Sequence, residues 1–397
     1  MEPIPFQGLA VDGKRVAAAD GREVEVFDPA NGEVLARVAQ AGEPDVERAV
    51  LAARQRYEDR AWRTMNTRKR GRILQRIADL VRQEKESLAR LESRNAGKPI
   101  KAARGEIAAV ANCFEFYAGA TNKFYGETIP VSAHGTSLTF HEPLGVCALI
   151  VPWNYPLLIT SWKVAPALAM GNTVIIKPAS PTPLSALALA DLALEAGLPP
   201  GALNVLPGSG STVGSALVRH PAVRKVSFTG STEIGAGIMK MAADDIKRVS
   251  LELGGKSANV VFADADLSVC VESSIFSVYD NAGQDCCARS RILVERSIHD
   301  EFVERFVARA KTLRLGDTQD EQTEVGPLIT PQQRESVRHY LEVGDGEGAE
   351  RLCGGEVPGD GPLARGNFLT PAVYVEVRPD MRIAQEEIFG PVVAIIP

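Results

Sequence analysis

The chain has 397 residues, 45% apolar and 24% charged, a composition of soluble globular proteins and a length that two domains divide more readily than one. A formal net charge of −6, with no Lys/Arg-rich run, argues against a nucleic-acid binder. The longest apolar run, Leu144 to Trp153, is broken by Pro152 and is far too short to span a bilayer, so no membrane association is expected.

The opening Met-Glu-Pro-Ile-Pro lacks both the basic region and the apolar stretch of a secretory leader. Glu23–Phe27 and Val34–Val38, joined through Asn31-Gly32, predict a β-hairpin over 23–40. Residues 44–60 and 66–94 have helical periodicity, the second with Ile73, Ile77, Leu80, Val81, Leu88 and Leu91 on one stripe. Gly97-Lys98-Pro99 supplies the glycine and proline that end such a helix. A further helix is predicted over 101–118. The weak alternation of 124–142 reads as an excursion hairpin.

From residue 145 the pattern changes. Apolar strands at Val146–Val151, Thr173–Ile176, Leu203–Leu206 and Val226–Thr229 alternate with helical stretches, beginning with 157–169 and 183–196. This alternation predicts a parallel sheet covered on both faces. Such sheets bind ligands beyond the C-terminal ends of their strands. The loops there are Pro152-Trp153-Asn154-Tyr155-Pro156, Lys177-Pro178-Ala179-Ser180, Pro207-Gly208-Ser209-Gly210 and Thr229-Gly230-Ser231-Thr232, and one crevice collects all four. A second α/β unit begins near 255, with strand Ala258–Phe262, a helix start at Asp264-Ala-Asp266, and a strand over Ala372–Val377.

The six cysteines (113, 147, 270, 286, 287, 353) form no CxxC pair and the five histidines no zinc pattern, so reduced thiols of a cytoplasmic protein, without a metal, are expected. One stretch has a different character: Tyr279-Asp280-Asn-Ala-Gly-Gln-Asp285-Cys286-Cys287, ahead of the apolar run Ile292–Val294. The turn residues hold Cys286 on a tight loop, and in an extended segment Cys286 and Cys287 face opposite ways. Taken alone, a cysteine is more often a small buried hydrophobe than a nucleophile. Gly230-Ser231 offers backbone N–H groups at a helix start, an anion site or a plain turn. Lys177 reads as a ribose or phosphate ligand, or as a solvated surface lysine. Glu252, flanked by leucines and glycines, suits a general base of raised pKa, or is an exposed glutamate on an edge strand. Asn154, between two aromatics and two prolines, is a fixed amide donor for an oxyanion, or a turn asparagine.

These stretches occur together with Val325-Gly-Pro-Leu328 and Glu386-Glu-Ile-Phe-Gly-Pro391, and the whole chain resembles the aldehyde dehydrogenase superfamily, most closely its amino- and betaine-aldehyde branch through Asn281–Cys286. The resemblance implies a Rossmann-type parallel-sheet cofactor domain over 1–252, with 124–142 as a protruding oligomerisation hairpin. It implies an α/β catalytic domain over 253–397, without its C-terminal part, and a homodimer or homotetramer for the complete chain.

It further implies that Cys286 attacks the aldehyde, that Asn154 and the Cys286 N–H hold the oxyanion, and that Glu252 activates the hydrolytic water. The cofactor, NAD or NADP, is expected along Ile150, Val151, Pro152, Trp153, Lys177, Pro178, Ala179, Ser180, Gly208, Gly210, Phe228, Thr229, Gly230, Ser231, Leu253, Glu387 and Phe389. Tyr155 and Trp162 wall the aldehyde channel. Asp280 and Asp285, with cation–π contact from Tyr155, Trp162 and Tyr279, point to an aminoaldehyde or betaine aldehyde as the substrate; the alternative is that the aspartates cap a turn or pair with Arg289 or Arg291 and the aldehyde is uncharged. Ser180 stands where NAD-preferring relatives often carry glutamate, so nothing there repels a 2′-phosphate. Two rivals remain: a CoA-acylating relative, disfavoured by Glu252, and a silent protein on the same fold, disfavoured by Cys286, Glu252 and Asn154.

Overall fold

Strands apolar along their whole length cannot leave a face to water, and they form the middle of a seven-stranded sheet. Its order is Arg248–Glu252, Val223–Thr229, Val146–Ile150, Thr173–Lys177, Leu203–Val205, Leu9–Val11, Lys14–Val16; the first five strands run parallel and the last two are an antiparallel edge pair. Every residue of Val146–Ile150 and Thr173–Lys177 is buried. Each fully covered Val or Ile side chain there contributes about 1.5–3 kcal/mol. The helices Glu43–Glu58, Thr67–Gln83, Pro156–Ala169, Leu184–Glu195 and Thr232–Ala243 belong to the same compact unit, which comprises the chain up to Val26, Ala36–Leu91 and Arg104–Glu252. The computed structural model describes residues 4–132 and 134–397.

The chain order reverses at Val146–Ile150: the next two strands extend the sheet on one side, and Val223–Thr229 and Arg248–Glu252 on the other. The switch point therefore lies between the ends of Val146–Ile150 and Val223–Thr229, where open α/β sheets hold their ligands. Register aligns Ile150 with Lys177 and with Phe228, and Thr229 with Glu252. The four loops read from the sequence thus leave one rim of the sheet.

The second compact unit comprises Phe27–Leu35, Glu92–Ala103 and Leu253–Pro397. Its sheet has the order Ala258–Val261, Arg291–Val294, Val392–Ile396, Ala372–Val375, Glu350–Cys353, parallel except for the last strand. Asp266 caps helix Leu267–Tyr279 by accepting from the Ser268 and Val269 amides, as the Asp-Ala-Asp signal predicts. The core is built on Tyr279, Phe302, Phe306, Tyr374 and the apolar strands.

Three expectations are corrected. The helix expected over 66–94 is two helices, Thr67–Gln83 and Lys85–Ala96, because Glu84 leaves helical backbone with φ −91° and ψ 16°. No glycine or proline marks the break. The strand expected to Val377 ends at Val375, since Glu376 takes a positive φ of 52°. The glycine run after Leu203–Val205 coils at Gly210–Gly214 into one π-helical turn, with the Ser209 hydroxyl accepting from the Thr212 amide at 3.0 Å. The excursion hairpin is present as Thr128–Ile129 paired with Ser137–Leu138; Ala133 lies outside the described residues. Its flanks expose Phe124, Tyr125 and Phe140. Among the described residues no helix is long and apolar enough to cross a membrane.

Candidate active site

On the rim of the first unit, Lys177 closes its strand with only 5% of its surface exposed, and burial pushes its ammonium down to about 8. A buried lysine with no acid beside it costs stability, which favours a role in holding a ligand over a solvated surface position. Asn154 is buried at 3% exposure, with Trp153 and Tyr155 half-buried on either side, and Pro156 opens helix Pro156–Ala169. Ile150, Val151, Pro178, Gly208, Phe228 and Thr229 are buried, and Pro152, Ala179, Gly230 and Leu253 half-buried. Gly208 packs so closely that a Cβ would meet the Val213 side chain, whereas Gly210 opens to solvent. Ser180 is exposed and donates to the Gly208 carbonyl at 3.4 Å, tying two of the loops together.

Ser231 caps helix Thr232–Ala243 by accepting from the Ile234 amide. The anion-site expectation needs one correction here: the Gly230 N–H is committed to the Glu252 carbonyl at 3.1 Å, so the amides at the helix end follow Gly230. The Thr229 hydroxyl is buried without a hydrogen-bond partner among the described residues.

Glu252 takes the second of its two expected settings, the exposed glutamate on an edge strand. It ends the edge strand of the sheet with its side chain exposed, because strand alternation turns it away from Leu251 and, among the described residues, no further strand of this unit covers that edge. Beside it lies a lysine that no sequence motif marks. Lys163 donates to the Ser227 hydroxyl at 2.9 Å, and burial pushes its amine down to about 8 although the Glu252 carboxylate favours the charged form. Only its place two turns into the helix that Pro156 opens could have signalled it. Trp162, the neighbouring residue, is 56% exposed.

In the second unit, helix Leu267–Tyr279 runs into a tight turn in which Asn281, Ala282 and Gly283 all have positive φ, of 51°, 56° and 71°. Left-handed backbone costs a non-glycine residue roughly 1–2 kcal/mol, so Asn281 and Ala282 store strain that their surroundings must hold. At Gly283 a Cβ would collide with the Gly390 carbonyl, so only glycine fits. Gln284, at 1% exposure, braces the turn.

Cys286 and Cys287 then lie in a turn and not in extended chain, which corrects the opposite-face expectation: their sulfurs are 3.9 Å apart. The Asp285 carboxylate accepts from the Cys287 amide at 3.0 Å, and its oxygen and both sulfurs lie within 4.8 Å of one another. Cys286 is half-buried and Cys287 exposed. Burial pushes the Cys286 thiol up to about 12, with Cys287 and Asp285 adding to the rise.

Three substrate residues are engaged elsewhere in the fold. Tyr279 is 2% exposed, donates to the Ala372 carbonyl at 3.0 Å and packs on Phe306, so it is a core residue and offers no ring to a ligand. Asp280 is held up by burial and opposed by the charge of the buried Lys98, and Asp285 caps its own turn. Both carboxylates already have work within the fold.

Glu387 and Phe389 precede the strand Val392–Ile396, beside the cysteine turn. Burial raises the Glu387 carboxyl, one oxygen of which has no partner among the described residues, and Gly254 leaves the room that its carboxylate fills. Phe389 is half-buried with φ 56°, its carbonyl accepting from Gln333 at 2.8 Å. Lys256, likewise unmarked by any motif, is half-buried nearby with its amine enclosed, and burial pushes that amine down to about 8.

Comparison with known proteins agrees with this geometry. The model of the aldehyde dehydrogenase family matches residues 16–397. Human retinal dehydrogenase 2 is 46% identical over 396 residues, covering 99% of this chain and 76% of the relative, and human mitochondrial aldehyde dehydrogenase is 46% identical over 382 residues, covering 96% and 73%. Among solved structures, the betaine aldehyde dehydrogenase of Staphylococcus aureus in complex with NAD+ superposes with a TM-score of 0.96 at 40% identity, covering 98% of this chain and 77% of that one. A family match over nearly the whole length, relatives of this identity and a sheet whose rim carries the buried lysine and amide lead to one conclusion: the chain belongs to the aldehyde dehydrogenase family.

Proposed function

We propose that the protein oxidises an aldehyde to a carboxylic acid with NAD, through a thioester on Cys286. The observation that carries this reading is the half-buried thiol on a strained turn, in a chain whose other unit brings a buried amide and a buried lysine to one sheet rim. The residues present fit a dinucleotide. Lys177 supplies a buried amine at the strand end, the Thr229 hydroxyl and a Glu387 oxygen lack partners among the described residues, and Gly208 admits close backbone approach. Lys177 would hold the adenosine ribose, the helix end at Ser231 the pyrophosphate, and Glu387 the nicotinamide ribose. When bound, the nicotinamide takes the hydride.

The chain's own residues do the rest. The Cys286 thiol gives its proton to water, its sulfur adds to the carbonyl carbon, and the Asn154 side-chain amide and the Cys286 N–H receive the oxyanion. Loss of hydride from the thiohemiacetal carbon leaves a thioester. Glu252 takes a proton from water as the water adds to that thioester, releasing the acid and restoring the thiol. In this reading the first unit is the cofactor domain, the second carries the nucleophile, and the exposed aromatic hairpin serves a homo-oligomer.

For the substrate, the engagement of Asp280, Asp285 and Tyr279 within the fold favours an uncharged aldehyde over the aminoaldehyde suggested by Asn281–Cys286. The test is kcat/KM for 4-aminobutyraldehyde against an uncharged aldehyde of equal length, with NAD and with NADP. The uncharged aldehyde is expected to lead. A preference for the amine that Asp280→Asn or Asp285→Asn abolishes would restore the cationic substrate, and absence of oxidation across an aldehyde panel would remove the function itself.

Ser180 bears on cofactor choice. It is exposed and places no carboxylate toward a 2′-phosphate. The wild type is expected to accept NADP alongside NAD, and Ser180→Glu to lower kcat/KM for NADP about tenfold or more through like-charge repulsion while NAD changes little. A wild type that already rejects NADP would show that another group discriminates.

A further inference from the structure

The strained turn ahead of Cys286 is braced by the side chain of Gln284. Gln284 is 1% exposed, and its Nε2 donates to the Asn281 carbonyl at 3.0 Å, the same oxygen that receives the Gln284 main-chain N–H at 3.1 Å. Nε2 also lies 3.5 Å from the Pro327 carbonyl. In the other direction the Ile329 N–H donates to Gln284 Oε1 at 2.9 Å, and Asn281 Nδ2 returns a bond to the Gln284 carbonyl at 3.2 Å. The carboxamide therefore spans from the inside of the left-handed turn to the Pro327–Ile329 segment, which is anchored in its own right by the Leu328 N–H on the Asn367 carbonyl at 3.0 Å. On its far side the turn presses Gly283 against Gly390, with no room to shift that way.

We infer that Gln284 is a positioning residue for the oxidation: its buried carboxamide fixes the left-handed Asn281–Gly283 turn and thereby the placement of the Cys286 sulfur and main-chain N–H. The inference rests on Cys286 being the nucleophile. Asn281 and Ala282 occupy backbone conformations that L-residues avoid, so the turn relaxes unless something outside it holds it. Only a group with both donor and acceptor atoms can bind Asn281 and Ile329 at once. Glutamate keeps the shape and the acceptor but, when ionised, donates nothing; methionine keeps the length and does neither. Cys286 is two residues further on, and a displacement of about 1 Å in a reacting group costs on the order of a hundredfold in rate.

The experiment compares Gln284→Met and Gln284→Glu, each alone and combined with Ala282→Gly. Glycine carries no left-handed cost, so this background needs less bracing and also protects folding. Measured are kcat/KM for the aldehyde, NAD dissociation constant, urea stability, and site-resolved alkylation of Cys286 and Cys287 by iodoacetamide. Gln284→Met is expected to lower kcat/KM about a hundredfold and to slow alkylation at Cys286 but not at Cys287. NAD affinity should stay within about twofold, and Ala282→Gly should return roughly tenfold of the lost activity. A folded Gln284→Met within about threefold of wild type overturns the inference. So does an activity loss with Cys286 alkylation unchanged, or one that Ala282→Gly does not relieve. If Gln284→Met folds in neither background, the residue serves folding alone, and the inference is equally overturned. Cys286→Ala is the control: retained turnover there would remove the nucleophile reading itself, whereas an inert Cys286→Ala beside a fully active Gln284→Met overturns this inference only.

Discussion

Cys286→Ala is expected to lower kcat by a factor on the order of 10⁴ or more, and Cys287→Ala to leave most of it, since removing a covalent nucleophile takes away the path and not one contact on it. The proximity of the two sulfurs makes the contrast informative. At 3.9 Å from Cys286, Cys287 is near enough to affect its titration, but its sulfur is too far displaced to attack a carbonyl carbon placed for its neighbour. The Asp285 carboxylate, moreover, fixes the Cys287 main chain through its amide. The neighbouring thiol is one of the causes that hold Cys286 up at about 12, after burial. Cys287→Ala should therefore lower that value and speed alkylation of Cys286 at a fixed pH. In the cofactor-free wild type, alkylation of Cys286 should stay slow at neutral pH and climb about tenfold per pH unit through the alkaline range, as expected for a thiol whose thiolate is disfavoured. Site-resolved mass spectrometry of the alkylated protein follows both effects. Equal losses of turnover in the two alanine variants would end the assignment of Cys286.

The parts of the fold that the sequence made legible are those in which periodicity and burial coincide. Val146–Ile150 and Thr173–Lys177 are apolar throughout because both faces of their sheet are covered, and that pattern has no competing reading once helices alternate with the strands. The cysteine turn is legible in composition but not in geometry. Asn-Ala-Gly announces a turn, yet nothing in an alanine announces positive φ, and the left-handed run that puts Cys286 and Cys287 side by side depends on Gln284 reaching the distant Pro327–Ile329 segment. Glu252 shows the limit of reading neighbours along the chain: its leucines are adjacent in sequence, but in a strand adjacent residues face opposite ways. Tyr279 fails for the matching reason in a helix, where the last residue still points along the buried stripe and joins Phe306 in the core. Nothing in the sequence marks Lys163 or Lys256, because a lysine stem among apolar residues has the same pattern whether its amine is enclosed or solvated.

Glu252→Gln is expected to preserve a pre-steady-state burst of reduced cofactor while steady turnover falls by a factor of about 10²–10³, the range a lost general base produces. The main chain of Glu252 is fixed, paired with Thr229 in the sheet and accepting from the Gly230 N–H, so glutamine leaves the rim intact. Its side chain, by contrast, is exposed at the end of an edge strand. A base in that position is supplied with water, which suits the second half-reaction, in which water is the reactant. The buried Lys163 amine close by gives the carboxylate a positive neighbour that glutamine cannot exploit. Acylation consumes no water, so its rate should survive the substitution, and the enzyme should accumulate as the thioester. Intact-protein mass spectrometry would then find the acyl adduct on Cys286 during turnover. A variant that loses the burst as well as the turnover, with no adduct formed, would move Glu252 to an earlier step: deprotonating the Cys286 thiol, whose high pKa in the cofactor-free protein leaves room for such a base.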